Sequence, residues 1–201
     1  MERGGLFAGS NPFELAQRWL DAAWKTEPND ANAMALATVT GDGLPNVRMV
    51  LLKEIEANGF VFYTNRTSAK GRELEAVAKA AGVLHWKSQR QQLRFRGPVE
   101  MVDAAMSDAY FATRHPQSRA AAVASKQSQP LASRQVLLDA TAAVAEASGG
   151  APARPEHWGG YRIRPVEIEF WADGDHRTHD RFRWTRASAE AQEWRVARLY
   201  P

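Results

Sequence analysis

The sequence contains no cysteine. That removes disulfides, thiolate metal sites and cysteine nucleophiles together, and it gives no sign of an oxidising compartment. No stretch approaches the ~20 apolar residues that a membrane-spanning helix needs. Met1-Glu2-Arg3-Gly4-Gly5 leads into a polar amphipathic segment and not into an apolar signal core. The expectation is a soluble, cytoplasmic protein without membrane contact. Missing too are a Gly-rich strand-to-helix turn of dinucleotide-binding type, a P-loop and a G-x-S-x-G elbow. His157 and His179 stand apart from any carboxylate or histidine at ligand spacing, so no metal site is expected. A large excess of one charge is also absent: 26 Lys and Arg face 23 Asp and Glu, a net charge of +3. The cations cluster at Arg90 to Arg96, Arg114 to Arg119, Arg162 to Arg164 and Arg177 to Arg186, but Glu100, Asp103, Glu167, Glu169, Asp173 and Asp175 interrupt them. That pattern argues against the contiguous basic face of a nucleic-acid binder. Forked arginine donors suit small anionic ligands.

The 201 residues, 44% of them apolar, suffice for one substantial core, and we expect a single domain over 1–201 with a flexible segment at 1–10. Asn11-Pro12-Phe13-Glu14 reads as a helix start with Asn11 as cap and Glu14 reaching back, and Phe13, Ala16, Trp19, Leu20 and Ala23 follow at helical spacing. From Ala33 the pattern turns to β: Met34 to Thr40, a Gly41-Asp42-Gly43 turn, Pro45 to Ile55, an Asn58-Gly59 turn, and Phe60 to Thr64. Ser68 caps a helix expected to run through Ala80, and strands are expected at Val83 to Lys87 and Gln92 to Met101. The middle reads as helices at Asp103 to Thr113, Ser118 to Ala124 and Ser133 to Ser148. Strands return at Gly160 to Trp171, His176 to Arg186 and Trp194 to Leu199. Strands at both ends around a helical middle argue for an α+β fold with a mostly antiparallel sheet, and barrel closure would protect its edges.

Three segments carry candidate chemistry. Arg48-Met49-Val50-Leu51-Leu52-Lys53 reads by itself as a core strand with charged tips. The next strand, however, ends in Tyr63-Thr64, and the next helix opens with Ser68-Ala69-Lys70, where a helix amino terminus favours an anion. Gln117 to Pro130 is rich in hydroxyl and amide groups, which suit a phosphate or a ring edge and equally suit a surface loop. Arg177-Thr178-His179-Asp180-Arg181 puts Arg177, His179 and Arg181 on one face if it is a strand, where two cations would favour a neutral imidazole.

The ordered motifs N-A-M-A-L-A-T-V, G-D-G, R-M-V-L-L-K, G-F-V-F-Y-T-N, Y-F-A-T-R, S-K-Q-S-Q-P, H-W-G-G-Y-R, I-E-F-W, R-T-H-D-R and R-L-Y-P resemble the pyridoxine (pyridoxamine) 5'-phosphate oxidase family from about Asn11 to Pro201. The resemblance implies a homodimeric split β-barrel with flanking helices and FMN at the subunit interface. It implies an FMN shell of Arg48, Met49, Val50, Lys53, Tyr63, Thr64, Ser68, Lys70, Gln92, Gln127, Ser128, Trp171 and Arg181. Lys53, Tyr110, Arg114 and Ser118 resemble the clamp on a phosphorylated pyridine substrate. Arg177 and His179 resemble the catalytic pair that positions its ring. The implied reaction oxidises pyridoxine or pyridoxamine 5'-phosphate to pyridoxal 5'-phosphate, with dioxygen as acceptor and hydrogen peroxide as product. Ala69 and Gln91 stand where the family usually has arginine, and Arg119-Ala120-Ala121-Ala122-Val123 stands where it typically reads Q-I-G-A-W. Those departures keep two alternatives open, a phenazine-pathway type of flavin oxidase and a non-catalytic flavin-binding split barrel. Arg48 and Lys53 are five residues apart, hence on opposite faces of a regular strand, so a shared ligand needs a bend in the strand, an edge approach or both subunits.

Overall fold

A computed structural model describes residues 4–201; the part of the expected flexible segment at 1–3 lies outside the described residues. The helices are α1 (Pro12–Ala23), α2 (Ala69–Ala76), α3 (Ala104–Thr113), α4 (Pro116–Ala124) and α5 (Arg134–Ala147). The strands are β1 (Ala33–Val39), β2 (Pro45–Ile55), β3 (Phe60–Asn65), β4 (Lys79–Trp86), β5 (Gln91–Met101), β6 (Trp158–Ile163), β7 (Glu167–Ala172), β8 (Asp180–Thr185) and β9 (Arg195–Arg198). Their order is β4-β1-β2-β3-β6-β5-β7-β8-β9, and a further β4 to β5 pairing closes the first six into a barrel. Closure removes the edges that a six-stranded open sheet would expose. The fold is α+β with an antiparallel split barrel, as the sequence implied.

By proximity of Cα atoms the chain groups into two compact units. One takes in the residues up to Phe62, Val77–Glu100 and Arg162–Pro201; the other takes in Tyr63–Ala76 and Met101–Tyr161. In the first unit, Met34, Leu36, Leu52, Phe60, Phe62, Leu84, Leu93 and Phe95 are buried, and the Phe60 and Phe95 rings stack at 3.7 Å. Gly82 is required here, because a Cβ would come within 2.7 Å of the Phe95 ring. Asn11 caps α1 as expected, accepting from Phe13 N–H at 2.9 Å, although Glu14 takes its bond from the Asn11 side chain. Trp19 of α1 lies edge-on to Phe170 at 5.1 Å and donates its Nε1–H to the Leu6 carbonyl. In the second unit Leu74, Val102, Phe111, Ala120 and Trp158 are buried. There α4 lies against α5, which buries none of its own residues.

Three expected elements are corrected. The helix from Ser68 stops at Ala76 and does not reach Ala80, because Lys79 and Ala80 begin β4, in register with Pro98 and Gly97. Ladder bonds outweigh alanine's helix propensity here. The strand expected from Gly160 to Trp171 is two strands, broken around Pro165, which has no N–H to give a ladder. The strand expected from His176 to Arg186 begins only at Asp180; a 3-10 turn at Asp175–Arg177 precedes it.

Candidate functional site

In the second unit, the turn between β3 and α2 collects hydroxyls, an amide and an ammonium. Ser68 Oγ donates to the Asn65 carbonyl at 2.7 Å and accepts from Gly71 N–H at 3.3 Å, holding the first turn of α2. Gly71 is obligatory, since a Cβ would sit 1.9 Å from the Arg66 carbonyl oxygen. Lys70, which is buried, extends its Nζ to Gln127 Oε1 at 2.8 Å and to Ser68 Oγ at 3.3 Å, and Thr64 Oγ1 lies 3.5 Å from the same Gln127 oxygen. Ser128 follows at φ +71°, a left-handed conformation that shapes the turn after Gln127. Thr64, Ser68 and Lys70, with Gln127 from far along the chain, are thus one hydrogen-bonded cluster of hydroxyl and amide groups around an ammonium, chemistry suited to a phosphate.

The same unit holds an aromatic stack. Tyr63, Tyr110 and Trp158 lie nearly parallel, with centroids 4.1 Å apart for the tyrosines, 5.6 Å for Tyr63 and Trp158 and 6.1 Å for Tyr110 and Trp158. Gly160 keeps Tyr63 close, because a Cβ would meet its ring at 2.7 Å. Arg114 ends α3 and leads into α4, whose first turn carries Ser118. Its guanidinium lies 4.9 Å from the Trp158 ring and 5.6 Å from the Phe111 ring, and its Nη1 is buried without a hydrogen-bond partner among the described residues. Burial pulls the Arg114 pKa below its ordinary value, while neighbouring Tyr110 works in the opposite direction. An orphaned guanidinium nitrogen beside a helix amino terminus calls for an anion.

In the first unit, Arg48 of β2 donates to the Leu36 carbonyl at 3.3 Å and to Thr38 Oγ1. Val50 is half-buried with Arg48, whereas Met49 and Lys53 are exposed. The pairing of β2 with β3 shifts register between Leu52 and Glu54, which places an irregularity at Lys53. Arg48, before it, remains half-buried, and Lys53 is exposed. Lys53 lines a cavity of about 390 Å³ with Trp24, Asn32 and Glu56. Gln92, Trp171 and Arg181 form one row across β5, β7 and β8. Arg181 is held from behind by Glu169 Oε1, 2.9 Å from its Nε, and by the Tyr200 carbonyl at 2.9 Å.

Arg177 and His179 do not share a strand face with Arg181, because they precede β8. His176 and Arg177 sit at φ +52° and +66°, two consecutive left-handed residues that are not glycine, a strained arrangement of the kind kept at functional sites. Among the described residues, the charged group that meets His179 is a carboxylate and not an arginine: the imidazole Nδ1 lies 2.9 Å from Asp173 Oδ1, and the ring packs 4.8 Å from Trp171. The sequence reading gave no role to Trp158, Thr38 or Asp173. The H-W-G-G-Y-R motif pointed to the first; only pairing geometry reveals the other two.

The fold and these clusters define an α+β split-barrel protein with a buried ammonium and an orphaned guanidinium nitrogen suited to anionic ligands. Residues 20–147 match the pyridoxamine 5'-phosphate oxidase family, and residues 158–201 match the pyridoxine 5'-phosphate oxidase C-terminal dimerisation region. The chain is 59% identical over 201 residues to a pyridoxine/pyridoxamine 5'-phosphate oxidase of Cereibacter sphaeroides, covering 100% of both chains. It is 57% identical over 218 residues to that of Paracoccus denitrificans, covering 100% of this chain and 99% of the other. Among solved structures, PhzG from Burkholderia lata 383, in complex with tetrahydrophenazine-1-carboxylic acid, superposes with a TM-score of 0.88 at 34% identity, covering 96% of this chain and 94% of that one. The chain belongs to the pyridoxamine 5'-phosphate oxidase family.

Proposed function

We propose that the protein is a cytoplasmic, homodimeric FMN-dependent oxidase that converts pyridoxine or pyridoxamine 5'-phosphate to pyridoxal 5'-phosphate. The observation that carries this reading is Arg114, a guanidinium lying over the Trp158 and Phe111 rings beside the start of α4, with a buried nitrogen that has no partner among the described residues. That is a receptor for an anion borne on an aromatic ring. The names of the relatives at 57% and 59% identity agree with it. To the substrate we assign Lys53, Tyr110, Arg114 and Ser118 at the phosphate, with Arg177 and His179 orienting the pyridine.

To FMN we assign Thr64, Ser68, Lys70, Gln127 and Ser128, with Tyr63, in the second unit, and Arg48, Met49, Val50, Lys53, Gln92, Trp171 and Arg181 in the first. The donor set around Lys70 fits a phosphate, because it holds an ammonium and neutral hydroxyl and amide groups. When bound, FMN supplies the two-electron acceptor that dioxygen regenerates, with hydrogen peroxide as the second product. The residues bind and orient; Arg177 and His179 hold the ring so that the carbon to be oxidised is presented in one geometry. Support for the homodimer comes from the match to the dimerisation region and from β2, where Val47 and Met49 are 64% and 62% exposed on one face, apolar surface that calls for a cover.

The test is a visible spectrum of the purified protein followed by anaerobic addition of pyridoxine 5'-phosphate. A yellow protein that bleaches supports the reading. A yellow protein that bleaches only with tetrahydrophenazine-1-carboxylic acid would favour the second reading, oxidation of a larger aromatic, for which the PhzG likeness speaks. A colourless protein that added FMN does not turn yellow would overturn flavin binding.

A further inference from the structure

The turn from β7 into β8 holds a carboxylate and imidazole pair to which the assignments above give no role for the carboxylate. Asp173 Oδ1 lies 2.9 Å from His179 Nδ1, and the two side chains are only 13% and 20% exposed. The pair is braced from several sides. Asp173 N–H donates to the Arg90 carbonyl at 3.0 Å, and the Arg90 guanidinium meets the second Asp173 oxygen. Trp171 packs against the imidazole. Gly174 lets the turn close, since a Cβ there would meet the Thr178 carbonyl oxygen at 2.3 Å.

His179 Nδ1 also lies 3.2 Å from Gly174 N–H, and the two contacts demand opposite states of that nitrogen. A bare Nδ1 accepts from Gly174 but turns its lone pair toward a carboxylate. A protonated Nδ1 donates to Asp173 and forgoes Gly174. The carboxylate contact is the shorter and is charge-assisted, so it decides the tautomer.

We propose that Asp173 is the positioning residue for His179, holding the ring proton on Nδ1 so that in the neutral imidazole it is Nε2 that is bare and accepts a hydrogen bond. Resting on the reading of His179 as a substrate contact, the assignment narrows the substrate class: the group that meets the imidazole is a donor, a hydroxyl or an amine. The paired carboxylate does for this ring what the buried aspartate does for the histidine of hydrolytic triads, fixing tautomer and orientation without itself taking part in proton transfer.

The experiment uses the full-length protein labelled with 15N-histidine, its His179 signals assigned by loss in His179→Gln. At a pH where the ring is neutral, a protonated Nδ1 and an unprotonated Nε2 are expected; a protonated Nε2 would overturn the proposal. In Asp173→Leu the pattern should invert as Gly174 N–H takes over Nδ1. There kcat/KM should fall roughly 10- to 100-fold, the range of a charged hydrogen bond, with flavin content unchanged. Asp173→Asn keeps an acceptor oxygen and should recover part of the loss. Added to His179→Gln, Asp173→Leu should cost nothing more, whereas a further loss of similar size would show that Asp173 acts independently and would refute the positioning role. Turnover unaltered in His179→Gln would strike the functional reading of His179, while the nitrogen signals still decide the pairing.

Discussion

Replacing Arg114 by methionine separates a residue kept for its ligand from one kept for the fold. Two structural terms oppose each other in the ligand-free protein. The guanidinium loses its place over Trp158 and Phe111, at 4.9 and 5.6 Å, which costs about 0.5–2 kcal/mol. The buried, unpartnered Nη1 disappears, which returns about 1–3 kcal/mol. Methionine refills most of the volume with a flexible apolar chain. The two terms nearly cancel, so the thermal midpoint should stay within roughly 4 °C of the wild type. Substrate binding has no such compensation. A lost charge-assisted bond to phosphate is worth about 1.5–3 kcal/mol, so kcat/KM should fall roughly 10- to 150-fold. Steady-state kinetics with pyridoxine 5'-phosphate, beside a thermal melt and a flavin titration, measures all three. Refutation would be a midpoint lowered by ten degrees or more with kcat/KM per folded molecule intact, which would make Arg114 a structural cation.

Lys70→Met removes the ammonium that meets Gln127 and Ser68 while conserving volume, and FMN affinity in a fluorescence titration should weaken roughly 10- to 100-fold with the fold retained. Gly71→Ala forces a methyl toward the Arg66 carbonyl, 1.9 Å from where its Cβ would sit, and should destabilise by about 1–3 kcal/mol in urea melts while also weakening FMN binding through displacement of Lys70. At Glu169, burial alone would raise the carboxyl pKa, but the hydrogen bonds and charges of Arg94 and Arg181 outweigh it and hold the group below its usual 4.5. Its folded value is depressed, so its contribution is present above that usual value and fades as pH falls through the folded one. Urea midpoints between pH 6 and pH 3 should therefore fall more steeply for the wild type than for Glu169→Gln, and equal slopes would show that the pairing with Arg94 and Arg181 adds nothing.

The barrel was legible in the sequence because its strands carry local signals. Gly41-Asp42-Gly43 and Asn58-Gly59 punctuate runs of β-branched and aromatic residues, and β2 was delimited correctly at both ends. The errors fall where local preference and long-range pairing disagree. Lys79 and Ala80 follow a helix rich in alanine, and nothing nearby announces that Gly97 and Pro98 will claim them for a ladder. The cation and hydroxyl clusters were legible as sets of residue types, but their partners were not. Thr64, Ser68 and Lys70 were visible as neighbours, yet Gln127 joins them only because α3 and α4 bring the chain back. The charge environment of His179 was the least legible feature. Alternation along a strand predicts arginine neighbours for it, but the chain leaves extended geometry at His176 and Arg177, two positions in the left-handed region. Once alternation is broken, the neighbour of the imidazole is set by the turn and not by the strand period, and the turn offers Asp173. The same kink replaces the expected pair of cations beside the ring with a carboxylate, the group we propose to fix the proton of the imidazole on Nδ1.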